Sequence, residues 1–423
     1  EGCVSALREI VAANRAGEPR GIPAWCTAHP QALSAIFATY RHDDAPILVE
    51  ATCNQVNQFG GYTGMTPAVF RTFVEGLARN EGLDPARLML GGDHLGPNPW
   101  KSEPAEAAMA KARDLVAAYV DAGFTKIHLD ASMACADDGV LTEETIADRA
   151  ADLCSAAEAR GRPDLAYVVG TEVPIPGGET GGFDALGVTT SGAVANTWAL
   201  HEEAFRRRGL ADALQRVIGI VVQPGVDFGN DTVLAFDPPK AGGLAAALAT
   251  MPGVAFEAHS TDYQSERALG ALVKSHFAIL KVGPELTFAF RQAVFALARI
   301  EALVGVPQPS HLIDVLVAEM RADPNDWRSH VAADAREARM MLYGLSDRIR
   351  YYWPRPAVQA ALGRLFNNVA AAPPEPGIIA QVTGGLVDPS PVGAGLPDRI
   401  VRDMVGAVVR KYRAAAGDLS PLK

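Results

Sequence analysis

Short apolar runs alternate along most of the chain with longer segments rich in Ala, Leu, Arg and Glu. Each run is too short for a helix. Because the runs lack polar alternation, they predict parallel strands that are covered on both faces. The eight runs lie at 22–26, 47–52, 88–90, 126–130, 166–170, 217–222, 254–259 and 277–282.

Helix signals separate these runs. Thr66 and Pro67 are typical of an N-cap followed by the first helical position, and Thr142 predicts a second helix start. A helix that opens at 102–104 is expected to end at Gly123, where a left-handed residue suits glycine. Further helices are predicted at 31–41, 196–209, 240–250, 263–275 and 286–304.

Eight strand–helix alternations predict an α/β fold, a TIM (β/α)₈ barrel over residues 1–304. A doubly wound open sheet is the alternative, but no G-x-G-x-x-G motif follows the first strand. Residues 305–423 predict a helical C-terminal extension packed on the barrel, with helices near 308–322, 331–345, 356–371 and 398–416. The extension would cover the barrel or form an oligomer interface.

Composition narrows the class of protein. The formal charge of −11, without a basic block longer than 206–208, argues against nucleic-acid binding. No apolar run approaches the roughly 18 residues that span a bilayer, and no signal-peptide pattern is present. Five cysteines without a CxxC pair predict reduced thiols and a cytoplasmic protein. Because the chain starts at Glu1 and not at Met, a removed leader stays possible.

Polar residues cluster where the predicted strands end. In a TIM barrel the active site lies at these carboxyl ends. Side chains alternate along a strand, so Glu257 and His259 share one face, and so do His128 and Asp130. Each residue also has a purely structural alternative. His128 would be a hydrogen-bonded core histidine, Asp130 would cap a helix, and Glu257 would form a salt bridge with Lys281.

A divalent metal is the natural use of carboxylates and imidazoles that converge from different strands, and zinc accepts both. We expect His94, Glu172 and His259 as ligands of Zn²⁺ or another divalent metal. Asp93 would be the proton-transfer group. Asp130, Glu257 and Lys281 are the other candidate catalytic residues.

Two glycine-rich loops are candidate phosphate sites, because glycine lets backbone N–H groups approach an anion. Flexible lids without phosphate contact are the alternative. Neither loop matches a P-loop, which disfavours a kinase. The candidate residues for substrate or phosphate binding are Gly60, Gly61, Gly64, Gly177, Gly178, Asn54 and Gln55.

Several long motifs together resemble one known family. They are GIPAWCTAH (21–29), LVEATCNQVNQ (48–58), GGYTGMTP (60–67), GGDHLGPNPW (91–100), IHLDASM (127–133), GTEVP (170–174), EAHSTD (257–262), LKVGP (280–284) and DRIRYYW (347–353). This set is similar to the Z-type, so-called non-catalytic subunit of class II D-tagatose-1,6-bisphosphate aldolase, and the resemblance covers nearly the whole chain.

The resemblance implies a barrel related to class II aldolases and a role in galactitol, tagatose or amino-sugar catabolism. It implies that Asp93 and His94 match the base and the zinc ligand of those enzymes, with Glu172 and His259 on further ligand strands. The sequence departs at the last strand, where the aldolases place a histidine and this chain has 281–284, Lys-Val-Gly-Pro.

Three functions follow from the resemblance and the polar strand ends. The first is a supporting subunit for a separate class II aldolase chain. The second is an autonomous metal-dependent ketose (phosphate) aldolase or 4-epimerase. The third is a tagatose-6-phosphate kinase, a label also used in the family. The expected partners are a sugar phosphate or ketose, the aldolase chain and further copies of this chain. The segment 348–353 is expected to form an interface, or else to reach a phosphate with its arginines.

Overall fold

The structure is a computed structural model that describes residues 2–171 and 187–418. Eight parallel strands close into a barrel and confirm the predicted α/β TIM fold. Numbered in chain order, the barrel strands are β1 (Ile22–Trp25), β2 (Ile47–Thr52), β3 (Leu88–Leu95), β4 (Lys126–Leu129), β5 (Ala166–Val169), β6 (Val217–Val221), β7 (Ala255–Ala258) and β8 (Phe277–Val282).

Helices surround the barrel and continue beyond it. They are α1 (Gly2–Arg15), α2 (Pro30–Thr39), α3 (Pro67–Asn80), α4 (Ala105–Asp121), α5 (Glu143–Glu158), α6 (Ser191–Arg207), α7 (Glu266–Lys274), α8 (Pro284–Val304), α9 (Leu312–Ala322), α10 (Glu337–Tyr343), α11 (Pro356–Ala371), α12 (Pro376–Val382) and α13 (Leu396–Ala415). Thr66 and Thr142 cap their helices through their side chains, as predicted.

The crossover between β6 and β7 differs from the prediction. The single helix expected at 240–250 is wrong. The chain forms one turn at Pro238–Ala241 and a 3₁₀ segment at Leu244–Thr250, because Gly242 and Gly243 interrupt the helical pattern. A two-residue ribbon, Asp227–Phe228 paired with Val233–Leu234, precedes them.

The lower end of the barrel is closed by α1. Its buried residues Val4, Leu7, Ile10 and Val11 form one apolar cluster with inward side chains of the strands. Apolar burial here gives the barrel a dry floor, so the polar residues above it are held away from solvent on that side.

The last helix, α13, packs against α2, α7 and α8. Tyr412 stacks edge-on with Trp25 of β1 at 5.9 Å, and its hydroxyl lies 3.0 Å from the hydroxyl of Thr261. The helices after 304 are therefore packed onto the barrel wall. Among the helices in the described parts of the chain, none has the length and apolar character needed to cross a membrane.

Candidate active site

Inward side chains of the barrel form layers, because alternate residues of each strand face the interior. A charged layer lies directly above the apolar floor. Lys126 Nζ lies 2.6 Å from Glu50 Oε1 and 2.8 Å from Glu257 Oε2. Lys281 pairs with Glu50 and lies 3.7 Å from Glu257. These four groups are buried, so each charge depends on its neighbours in this layer.

Glycine makes room for this layer. A Cβ at Gly91 would lie 2.7 Å from Cγ of Glu50 on the neighbouring strand. Any larger residue would push the carboxylate out of its position between the two lysines. The prediction of a simple Glu257–Lys281 salt bridge is therefore only part of the arrangement, since both lysines are shared by both glutamates.

The next layer, at the mouth, holds three histidines and two aspartates. Asp93, His94, His128 and His259 offer ligand atoms that all lie within 4.8 Å of one another. His94 has a backbone φ of 49°, a left-handed conformation that a non-glycine residue rarely adopts. This strained turn after Asp93 directs the imidazole into the cluster.

Each histidine is held through one ring nitrogen by a fixed neighbour. His94 Nδ1 lies 2.6 Å from Asp130 Oδ2, and His259 Nε2 lies 2.8 Å from Glu257 Oε1. His128 donates from Nε2 to the carbonyl of Gly170 at 2.8 Å. The second nitrogens of His94 and His259 are then left for the cluster, which is the arrangement of histidines around metals in proteins. His128 differs, because its Nδ1 accepts a hydrogen bond from the His94 backbone N–H at 3.1 Å.

His128 provides a test of whether a cation fits. Its Nδ1 lies 3.0 Å from Asp93 Oδ1. When Nε2 carries the ring proton, a nitrogen lone pair and a carboxylate oxygen face each other at this distance. The His94 backbone N–H also donates to this Nδ1 at 3.1 Å, so a cation bound here would replace that hydrogen bond. Asp93, His94 and His259 supply the other donors of a set that fits a divalent metal.

The electrostatics of the mouth are governed by the same groups. Burial by itself raises the pKa of Asp93, but His94, Lys281 and His128 together hold it well below its usual range. Burial lowers the pKa of His94, yet the carboxylates of Asp93 and Asp130 raise it to about 9. A proton is therefore drawn to the place where a metal cation would sit.

Lys281 is held as an ammonium group. Burial lowers its pKa, but Asp93, 2.7 Å away, and Glu50 raise it well above its ordinary value. A lysine in this state is not a free amine, so Schiff-base chemistry at Lys281 is disfavoured. The ammonium group of Lys281 in turn stabilises the ionised carboxylate of Asp93.

A cavity of about 1120 Å³ opens above the histidine layer. Its lining includes Asn54, Gln55, Asp93, His94, Asp130, His259 and Lys281. Glu257 is not among the lining residues and lies beneath His259. Its catalytic role stays a prediction, and the contact that the structure shows is the one with the His259 ring. Asp130 likewise holds His94 and accepts hydrogen bonds from Ser132, so it is not simply a helix cap.

The predicted phosphate cradle at Gly60, Gly61 and Gly64 is not supported. The Gly61 N–H donates to the side chain of Asn57 at 3.1 Å, and the Gly60 N–H donates to the Asn57 carbonyl at 2.8 Å. A Cβ at Gly61 would lie 2.4 Å from the Gln55 carbonyl, so this glycine serves close packing inside the loop.

Three predicted site residues, Glu172, Gly177 and Gly178, lie outside the described residues. His128 is a fully buried histidine with hydrogen bonds to both ring nitrogens, as the core alternative predicts, and it also borders the histidine cluster. The signal was its position two residues before Asp130 on the same strand face.

The chain is a (β/α)₈-barrel protein whose charged and histidine-rich residues lie at the mouth of the barrel, where enzymes of this fold have their active sites. Residues 7–417 match the family model described as D-tagatose-1,6-bisphosphate aldolase subunit GatZ/KbaZ-like, and the chain belongs to this family. The resemblance drawn from the motifs is confirmed.

The relatives match over their full length. D-tagatose-1,6-bisphosphate aldolase subunit GatZ of Salmonella typhimurium is 45% identical over 96% of this chain and 98% of its own. The protein of the same name from Escherichia coli O1:K1 is also 45% identical, over 96% and 99%. A solved structure described as a probable tagatose 6 phosphate kinase from Sinorhizobium meliloti 1021 is 42% identical, with a TM-score of 0.84 over 94% of this chain and 100% of that one.

Proposed function

We propose that this chain is a component of a D-tagatose-1,6-bisphosphate aldolase system, where it supports a separate class II aldolase chain and binds a divalent metal, with zinc expected first, at its barrel mouth. Family membership and the names of the relatives support the first part. The observation that carries the second part is the convergence of Asp93, His94, His128 and His259 within 4.8 Å.

The charge balance of the described residues supports a metal. The carboxylates are Glu50, Asp93, Asp130 and Glu257, and the ammonium groups are Lys126 and Lys281. Four negative and two positive groups leave a formal charge of −2, which falls to −1 when His94 carries the proton that its raised pKa favours. A divalent cation would neutralise it, which removes the large free-energy cost of an unpaired buried charge.

The chain's own residues would prepare a ketose for reaction. When bound, the metal polarises the ketose carbonyl. Asp130 and Glu257 hold the His94 and His259 rings in place, and Lys281 keeps Asp93 ionised. Asp93 is the group placed to take and return a proton, although its depressed pKa also suits a metal ligand.

The second candidate function is an autonomous ketose (phosphate) aldolase or 4-epimerase. The cluster of Asp93, His94, His128 and His259 favours it, because a purely stabilising subunit has no need of strained and charged groups at its mouth. Retro-aldol cleavage followed by re-addition to the other face of the carbonyl would invert C4, so one site could support either reaction.

The kinase function is the weakest candidate. Lys281 lines the cavity but is already paired with Glu50 and Asp93, which leaves it poorly placed to hold the phosphates of a nucleotide. ATP-dependent phosphorylation of tagatose 6-phosphate tests it directly.

The deciding experiment compares the zinc-loaded chain alone with the same chain plus a class II aldolase chain. Turnover of tagatose 1,6-bisphosphate that rises only when both chains are present supports the supporting role. Turnover by the chain alone, lost in Asp93→Asn and retained in Asp121→Asn, an exposed control, assigns an autonomous enzyme instead. The absence of any effect in both assays would overturn the proposal.

A further inference from the structure

Two arginines of the C-terminal extension line the cavity at the barrel mouth. Arg348 and Arg350 lie in a 3₁₀ turn at Arg348–Tyr351, and both are partly buried. Within the described chain neither forms an ion pair with a carboxylate. Other well-buried arginines do have such partners: Arg291 pairs with Asp347, and Arg413 pairs with Asp43 and Asp418.

Backbone oxygens hold the two side chains without neutralising them. Arg350 donates to the carbonyls of Ser346 and Asp347, the latter at 3.1 Å. Arg348 donates from Nε to the carbonyl of Asp326 at 2.5 Å. These contacts fix the guanidinium groups in position, and their positive charge stays available to the cavity.

Both guanidinium groups lie over the same aromatic ring. Arg348 is 4.7 Å and Arg350 is 4.5 Å from the centre of the Tyr351 ring, and Arg350 also donates to the Tyr351 hydroxyl at 2.8 Å. Burial raises the pKa of Tyr351, but the two charges bring it below its ordinary value. The positive potential is therefore concentrated at one point of the wall.

Few negative groups compete there. His330 lines the same cavity, and burial together with the two arginines lowers its pKa to about 4, so it is neutral. Asp326 contributes a carboxylate to the lining without forming an ion pair with either described arginine. The guanidinium groups of Arg348 and Arg350 thus face the space above the histidine layer, and each keeps N–H groups that can donate to a ligand.

We infer that Arg348 and Arg350 form the subsite for the phosphate group of a phosphorylated ketose. This inference rests on the proposed function for the sugar and on the arginines for the phosphate. A phosphate monoester carries about −1.5 to −2 charges at neutral pH, which two guanidinium groups match. Their forked donors also suit phosphate oxygens. The extension thereby becomes part of the substrate site, and it takes over the role predicted for the glycine loop.

Calorimetric titration of the full zinc-loaded chain with inorganic phosphate, tagatose 6-phosphate and unphosphorylated tagatose tests the inference. Arg348→Gln and Arg350→Gln should weaken binding of both phosphate ligands by roughly tenfold or more, because a charge-assisted hydrogen bond is lost. Binding of unphosphorylated tagatose should be unchanged. Arg206→Gln, an exposed helix residue, is the control and should leave all three unchanged.

Arg350 also bonds the backbone, so its variant can lose structure. Arg348→Lys is the second variant, since it keeps the charge and should restore part of the phosphate affinity. The subsite would be overturned if the variants bound phosphorylated and unphosphorylated ligands with equally reduced affinity. It would also be overturned if the affinity for phosphate were the same in the parent chain and in both arginine variants. Phosphate binding that depends on the arginines, in a chain that neither binds metal nor changes the turnover of a class II aldolase chain, would support the subsite and reject the proposed function alone.

Discussion

Asp130 and Glu257 act through histidines. Each carboxylate holds one ring nitrogen, Asp130 at His94 and Glu257 at His259, and neither is among the four residues whose ligand atoms converge. Carboxylates in this position fix the orientation of an imidazole and increase its basicity. The residue pattern therefore divides into groups that would contact the proposed metal and groups that hold those side chains in place.

Asp130→Asn tests this division. The amide can rotate to present its NH₂ to His94, which removes the charge-assisted bond at 2.6 Å. We expect the affinity for zinc to fall by roughly 10-fold to 100-fold, with the fold intact by circular dichroism. Competition titration with a chelating dye measures the affinity. An unchanged affinity in Asp130→Asn would contradict the role assigned to this carboxylate.

Asp262 predicts a pH effect that is independent of the metal. It accepts hydrogen bonds from the backbone N–H groups of Gly283 and Glu285 at the start of α8. Burial, and then the charge of Glu285, raise its pKa to about 7, against about 3.9 in an unfolded chain. The folded state therefore favours the protonated form, and this contribution to stability is full below about pH 4 and is lost as the pH rises through 7.

The isosteric variant Asp262→Asn keeps the acceptor and removes the titration. Relative to the parent chain, it should be little changed at pH 4 and more stable at pH 8, by on the order of 1 to 4 kcal/mol. Urea unfolding at the two pH values measures the difference. A variant that is destabilised equally at both would show that the Asp262 carboxylate is not strained by burial.

At the scale of elements, α13 acts as a clamp on the barrel wall. Arg413 is fully buried, lies 2.8 Å from both Asp43 and Asp418, and stacks over the Tyr40 ring at 3.8 Å. It ties the last helix to the segment that follows α2. The extension is thereby fixed relative to the mouth that its arginines line.

Arg413→Ala should lower the free energy of unfolding by about 1 to 3 kcal/mol, because it removes a buried guanidinium group that stacks on Tyr40 and pairs with two partly exposed carboxylates. Arg410→Ala is the matched control on the exposed face of the same helix and should cost less than about 0.5 kcal/mol. Urea denaturation of the two variants at neutral pH compares them. Similar losses in both would mean that the buried charge does not anchor α13.

Sequence patterns predicted the barrel strands well, because a strand that is covered on both faces has a continuous apolar sequence. The end of such a strand is marked by a cluster of polar residues. Strand β3 runs to Leu95, beyond the predicted end at residue 90. Gly91 and Gly92 have low strand propensity, but both lie in the strand because the side chains of Glu50 and Leu95 leave no room for a larger residue there. The prediction of a single helix at 240–250 is wrong because the two adjacent glycines outweigh the helix propensity of the seven alanines and leucines around them.

The site was less accessible to sequence reasoning where it depends on long-range packing. The alternation of side chains along the strand predicts that His128 and Asp130 share one face. It does not predict how deep in the barrel His128 lies. The glycine loop could not reveal that its N–H groups are already used by Asn57. The expectation that 348–353 forms an interface is also wrong for its aromatic part, since Tyr352 and Trp353 are buried inside their own chain.

At the scale of the whole molecule, described residues of the barrel and of its extension line the same cavity. The dry floor under α1, the charged layer and the histidine layer come from the barrel, while Arg348 and Arg350 come from the extension. The division at 304–305 remains a prediction. The cavity has the size of a small-molecule site, roughly 300–1,000 Å³ or slightly more.

The most direct test of the account is the metal stoichiometry of the purified chain, measured by mass spectrometry after dialysis against zinc. The account predicts one tightly bound ion per chain. Binding should be lost in His94→Ala and in His128→Ala, and retained in His311→Ala, an exposed control. No bound metal, or binding that is unaffected by loss of His94 and His128, would contradict the central claim that the barrel mouth is a metal centre.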